Sequence, residues 1–229
     1  MKYFNIAVDG PAGSGKSSVS KEFARRNPDF VYINTGAMFR TYALYLLNKG
    51  VDFKDEMSIQ QELPNINVKL VGEEVYMVTA AGEQDVTDTI KTPDVAKAAS
   101  AIANLACVRS KLLLDQRAIA DNNNVIMDGR DIGTVVLPNA QLKIYLLASS
   151  RERALRRLKE LEILKPNQTF SLDIIEKEIN ERDYQDMHRA IAPLKKADDA
   201  IELDTNGMTV STCCDAIEKL YQGVISINK

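Results

Sequence analysis

Lys16 and Ser17 sit near the end of the stretch "DGPAGSGKSS", residues 9–18, which follows an apolar run. Gly10, Gly15, Lys16 and Ser17 fit G-x-x-x-x-G-K-[ST], in the strand–loop–helix context that this pattern requires. Glycines allow tight curvature, so successive N–H groups along Gly10, Pro11, Ala12, Gly13, Ser14, Gly15, Lys16, Ser17 and Ser18 can surround phosphate oxygens, proline alone lacking a donor. The dipole of the following helix adds a further attraction for the anion. The Lys16 ammonium is expected to reach the β- and γ-phosphates, and the Ser17 hydroxyl to coordinate Mg²⁺. The pattern predicts a site for a nucleoside triphosphate.

A triphosphate site leaves the reaction open, and three further segments offer a second set of charges. "NTGAMFR" (34–40) carries Thr35 and Arg40. "MDGRDIGTVV" (127–136) carries Asp128, at the end of a strand-like run and suited to hold a Mg²⁺-bound water, followed by Arg130 and Asp131. "RDYQDMHRAIAPL" (182–194) carries Arg182, Asp186 and Arg189, a spacing that predicts one helical face. Each segment alone is also explained by a capped helix start, a charged turn or a solvated face. Together with the loop they suit phosphoryl transfer, which asks a protein mainly to position reactants and neutralise charge. A guanine-reading N-K-x-D segment is absent.

Parallel strands alternating with helices would bring these segments to one edge. Strand-like runs occur at 3–9, 30–33, 124–128, 142–148 and 200–204, mostly as continuous apolar stretches expected for strands covered on both faces. Helices are predicted over Ser17–Arg26 and Ala37–Leu47. Another is expected after the Ser149/Glu152 capping box, and one more after Thr92-Pro93, read as N-cap and first helical position. Residues 52–90 break the rhythm: "INVKLVGEEVYMVTAAGEQDV" alternates around turn-like segments and predicts a small antiparallel sheet. The polar "ILKPNQTFS" (163–171) is read as a joint between two helices.

The chain has 229 residues, 45% hydrophobic and 27% charged, the composition of a globular protein. A net charge of −3 gives no broad basic surface for gripping nucleic acid. No stretch approaches the ~20 apolar residues that cross a bilayer, and "MKYFNIAVDG" reads as a strand rather than a signal peptide. The three cysteines lack metal-ligand spacing and suggest reduced thiols, so the expected location is the cytoplasm; separately, the expected state is a monomer. The residues alone leave open a kinase for another small acceptor, such as UMP, and a regulatory ATP-binding module.

"DGPAGSGKSS", "NTGAMFR", "MDGRDIGTVV" and "RDYQDMHRAIAPLKKADDAIELDT", in this order, resemble bacterial-type cytidylate kinases, and the likeness covers almost the whole chain. It implies transfer of a phosphoryl group from ATP to CMP or dCMP with Mg²⁺. It also implies an α/β P-loop kinase core on a five-stranded parallel sheet, with an acceptor-side insertion of antiparallel strands and a helical lid. The corresponding bounds are 1–51, 91–150 and 184–229 for the core, 52–90 for the insertion and 151–183 for the lid.

By matching position, the resemblance assigns Arg40, Arg130 and Arg189 to the acceptor phosphate. Ser100, Arg109 and Asp131 are assigned to cytosine, and Arg182 and Asp186 to the ribose or the transferring phosphate. Arg153 and Arg157 would open the lid helix over ATP. Lys16, Asp128, Arg130 and Arg182 form the expected catalytic set. The cytosine amino group donates hydrogen bonds and a carboxylate accepts them, so Asp131 would favour C over U by about 1–3 kcal/mol. Asn34 and Phe39 stand where the family often has aspartate and tyrosine, and Met187-His188 where a small polar pair is common. His188, the only histidine, is given no part in the transfer.

Overall fold

The computed structural model describes residues 3–227; Met1, Lys2, Asn228 and Lys229, at the two ends of the expected core, lie outside them. The chain runs β1 (Asn5–Asp9), α1 (Lys16–Arg26), β2 (Phe30–Asn34), α2 (Thr35–Asn48), α3 (Glu56–Glu62), β3 (Asn67–Val71), β4 (Glu74–Thr79), β5 (Gly82–Asp85), α4 (Pro93–Ile102), α5 (Ala106–Ala120), β6 (Asn124–Gly129), β7 (Leu142–Leu147), α6 (Ser150–Leu164), α7 (Leu172–His188), β8 (Ile201–Asp204) and α8 (Val210–Ile227). A five-stranded sheet has the order β2-β6-β1-β7-β8. β1 pairs in parallel with β6 and β7, and β7 with β8. The expected α/β class and five-stranded parallel sheet are therefore present.

The central strands are buried nearly throughout, as their unbroken apolar runs require. Register places Asp9 opposite Gly129 on one side and Tyr145 on the other. The glycine loop after β1 and the "GRD" segment after β6 thus leave the sheet from the same end, where open parallel sheets gather ligands.

Two compact units divide the chain: residues 1–32 with 124–229, and residues 33–123. The first is built on Ile6, Val8, Phe23, Ile126 and Leu146, all buried. Phe4, Phe23, Phe30 and Tyr221 pack edge-on, with Phe30 and Tyr221 centroids 5.2 Å apart. Cys213 and Cys214 are free and fill the same core as small apolar groups; burial pushes the Cys214 thiol up to about 12. Within this unit α6 and α7 pack through Ala154, Ile175 and Ile179, and residues 165–171 join them.

The second unit holds the antiparallel sheet β3-β4-β5, with α2 packed on α4. This unit extends well beyond the 52–90 stretch. Tyr42 is fully buried there, its hydroxyl shared between the Ile66 carbonyl and Asp115. Helix starts differ in detail from the predicted ones. Asn34 accepts the Ala37 N–H and so starts α2 two residues early. Ser149 accepts the Glu152 N–H, but Glu152 turns to Arg156, leaving the capping box half formed. Thr92 occupies the N-cap before Pro93, yet its hydroxyl donates back to the Thr89 carbonyl and caps nothing. Among the described residues no helix is long and apolar enough to cross a membrane.

Candidate active site

Backbone geometry explains the glycines of the loop. Gly10 has φ +148°, and a Cβ there would lie 2.4 Å from the Leu146 carbonyl oxygen, so no other residue fits. Gly13 and Gly15 are also left-handed, at +74° and +88°. α1 begins at Lys16, so its free amides point into the turn, as an anion site requires. Lys16 is buried, donating to the Pro11 carbonyl at 2.6 Å and the Ser14 hydroxyl at 3.2 Å. Burial first, and the nearby cation of Arg130 second, hold its ammonium well below the usual lysine range.

Ser17 donates to Asp128 Oδ2 at 2.8 Å, and Tyr32 donates to Asp128 Oδ1 at 2.9 Å. One hydroxyl beside one carboxylate at the loop is the hard-oxygen set that suits Mg²⁺, which usually takes its remaining ligands from phosphates and water. These residues fit the metal the sequence implied.

The arginine segments converge within the first unit. Arg130 Nε donates to Asp186 Oδ2 at 2.7 Å, and Arg189 Nη2 donates to Asp131 Oδ1 at 3.0 Å. The adjacent Arg130 and Asp131 therefore take different partners. Arg182 keeps solvent contact, yet the protein crowding its guanidinium, and then Arg130, lower its pKa. Lys16 lies within electrostatic reach of both Arg130 and Arg182. The expectation of one helical face holds for Arg182 and Asp186 but fails for Arg189. α7 ends at His188, and Arg189 has extended backbone (φ −65°, ψ 143°). A turn holds it instead: Leu194 N–H donates to the Asp186 carbonyl and Arg189 Nε to the Ala192 carbonyl, with Ala192 at φ +48°. His188 stacks on Tyr184, with ring centroids 4.0 Å apart, and its Nδ1 bonds the Tyr184 carbonyl.

Asp9, Asp183 and Arg156 matter here and went unread in the sequence, beside Arg153 and Arg157, which the resemblance assigns to the lid. Asp9, buried, accepts the N–H groups of Ile132 at 2.8 Å and Gly133 at 2.7 Å, fixing the turn that follows Asp131. Burial raises its carboxyl to about 6, against the lowering effect of those two amides. Asp183, next to Arg182, accepts the Ala12 N–H at 2.9 Å. Arg153 donates to the Ala12 carbonyl at 2.8 Å and pairs with Asp183, so it grips the loop's backbone. Arg156 reaches Thr205 and lies 3.6 Å from where a Gly15 Cβ would be, whereas Arg157 pairs with Glu160 at the surface. The useful signal was the spacing of Arg153 and Arg156, three apart and on one face.

Thr35, Arg40, Ser100 and Arg109 belong to the second unit. Thr35 is buried at the first turn of α2. Arg40 packs against Gly36, where a Cβ would come within 3.3 Å of its Nη1. Ser100 donates to the Ala96 carbonyl within α4. Arg109 lies 5.7 Å from the Phe39 ring centroid and donates to the Ala103 carbonyl, so the phenylalanine supplies a cation–π face.

The family model described as Cytidylate kinase matches residues 6–223. A cytidylate kinase of Fusobacterium nucleatum is 43% identical over 219 residues, 96% of this chain and 97% of its own. That of Leuconostoc mesenteroides is 42% identical over 226 residues, 99% of this chain and 100% of its own. A solved structure of an uncharacterized protein from Eubacterium ventriosum, 14% identical, aligns over 97% of this chain and 99% of its own with a TM-score of 0.52, a likeness of fold alone. The chain belongs to the cytidylate kinase family and is a kinase.

Proposed function

We propose that the protein transfers the γ-phosphoryl group of ATP to CMP and dCMP, giving ADP and the corresponding diphosphate, with Mg²⁺ bound at Ser17 and, through water, at Asp128. The observation that carries this reading is the buried Lys16 of the left-handed glycine loop, with Ser17 bonded to Asp128 beside it and Arg130 held on Asp186 in the same unit. Cations gathered at one sheet edge attract an anion of spread charge. A transferring phosphoryl group, whose negative charge is spread over its oxygens, is such an anion. Lys16 and the loop amides would hold the donor phosphates. Arg130, Arg182 and Arg189, kept in orientation by Asp186 and Asp131, would receive the acceptor phosphate. Mg²⁺ supplies charge neutralisation at the donor phosphates.

Base choice in this reading falls to Asp131. Free cysteines and a net charge of −3 are in keeping with a cytoplasmic monomer that binds small nucleotides rather than nucleic acid. A coupled assay of ADP release tests the reading, with CMP, dCMP, UMP, AMP and water as acceptors. Turnover with CMP and dCMP should exceed that with UMP by about 5–150-fold in kcat/KM, the range one mispaired buried polar group produces. Fast turnover with UMP and none with CMP would reassign the acceptor. ADP release indifferent to acceptor would overturn the kinase reading.

A further inference from the structure

Ala12 is the residue of the glycine loop most firmly held from outside it. Its N–H donates to Asp183 Oδ1 at 2.9 Å, and its carbonyl accepts from Arg153 Nη1 at 2.8 Å. The same Arg153 nitrogen pairs with Asp183 Oδ2, and Arg153 Nε donates to the Ala148 carbonyl at 3.1 Å. Both side chains are buried. Asp183 lies on α7 and Arg153 on α6, 171 and 141 residues along the chain from Ala12. Gly13, the next residue, is left-handed, and a Cβ on it would stand 3.3 Å from the Arg153 Cβ.

We propose that Asp183 and Arg153 are positioning residues for the donor: they lock the loop at Ala12, so the phosphate-binding shape of the loop exists only while α6 and α7 are docked against it. The pair fixes both polar groups of one residue and thereby the peptides on either side, including the entry to left-handed Gly13. Neither side chain needs to touch the nucleotide. α7 presents two charges to different partners: Asp183 to the loop and, three residues on, Asp186 to Arg130. A single helix therefore sets the donor loop and orients an acceptor cation. A buried ion pair serving only stability is commonly replaceable by apolar residues of similar size, whereas one that positions a neighbouring backbone is not.

The inference rests on the proposal that the loop takes ATP, and its test separates the two. Steady-state kinetics would be measured for wild type, Asp183→Asn and the double variant Arg153→Met/Asp183→Leu, with thermal melting to establish folding. Asp183→Asn keeps an oxygen for the Ala12 N–H but turns an amide against Arg153; the double variant removes the charges and fills the space. The expected result is a rise of about 10–100-fold in KM for ATP in both variants, the size of losing hydrogen bonds to charged groups. KM for CMP should stay within about twofold, a split that general destabilisation would not produce. Folded variants with unchanged KM for ATP, or with equal rises for both nucleotides, would overturn the proposal. Failure of every variant to fold would make the pair structural and overturn it too. Wild-type enzyme that shows no ATP-dependent turnover would sink the functional reading instead.

Discussion

Asp9 shows how a single buried carboxylate can tie a turn to a pH. Its two oxygens take the amides of Ile132 and Gly133, and burial raises its carboxyl to about 6. The folded pKa exceeds the value of about 3.9 in an unfolded chain, so the native state binds this proton more strongly. Asp9 thus favours folding most below pH ~4, and that contribution is lost as the pH rises to about 6. Its effect on activity has the opposite sign, because a neutral carboxyl is a weaker acceptor for two amides. We expect kcat/KM to fall as the pH drops through about 6, without a fall in melting temperature from this group. Asp9→Asn should remove that acid limb and lose about 1–3 kcal/mol of stability, since its amide meets a backbone donor. A pH–rate profile that is the same in both proteins would exclude Asp9 as the cause. The carboxylate adjoins the "GPAGSGKSS" signature, but nothing in the sequence reveals which distant amides it holds.

At the level of elements, helix starts matter because Arg153 lies only four residues beyond the cap of α6. Ser149→Ala removes the acceptor for the Glu152 N–H, and a loss of about 1 kcal/mol is expected in thermal or denaturant melts. A change below about 0.3 kcal/mol would show that the bond between Ser149 N–H and Asn206 anchors this end by itself. The strands were legible because their apolar runs are continuous, and the antiparallel sheet because its alternation frames two turns. α5 was not, and its pattern explains why. Its buried stripe is Val108, Leu112, Gln116 and Ala120, which includes a polar residue, while Leu114 is 67% exposed. Arg189 misled for a related reason: spacing suggests a face, but α7 stops at His188 and a turn through Ala192 holds Arg189. Asp183 could be seen beside Arg182, yet its partner lies 171 residues away and no local periodicity reports such a bond.

For the whole molecule, a net charge of −3 has to be reconciled with two anionic substrates. Capture must come from the local cations at the loop rather than from a long-range field, which salt screens beyond ~8–10 Å. We expect kcat/KM for either nucleotide to change less than about threefold between ~0.05 and ~0.3 M KCl at fixed free Mg²⁺. A steep loss would mean that outer lysines and arginines do the capturing. The first unit is also discontinuous, its strand β1 needing β6 and β7 from beyond residue 123. A ribosome making this protein releases the glycine bend 141 residues ahead of Arg153 and 171 ahead of Asp183. The nascent polypeptide consequently carries its nucleotide-recognition sequence through that interval without the fasteners that give it shape, and competence arrives late and all at once.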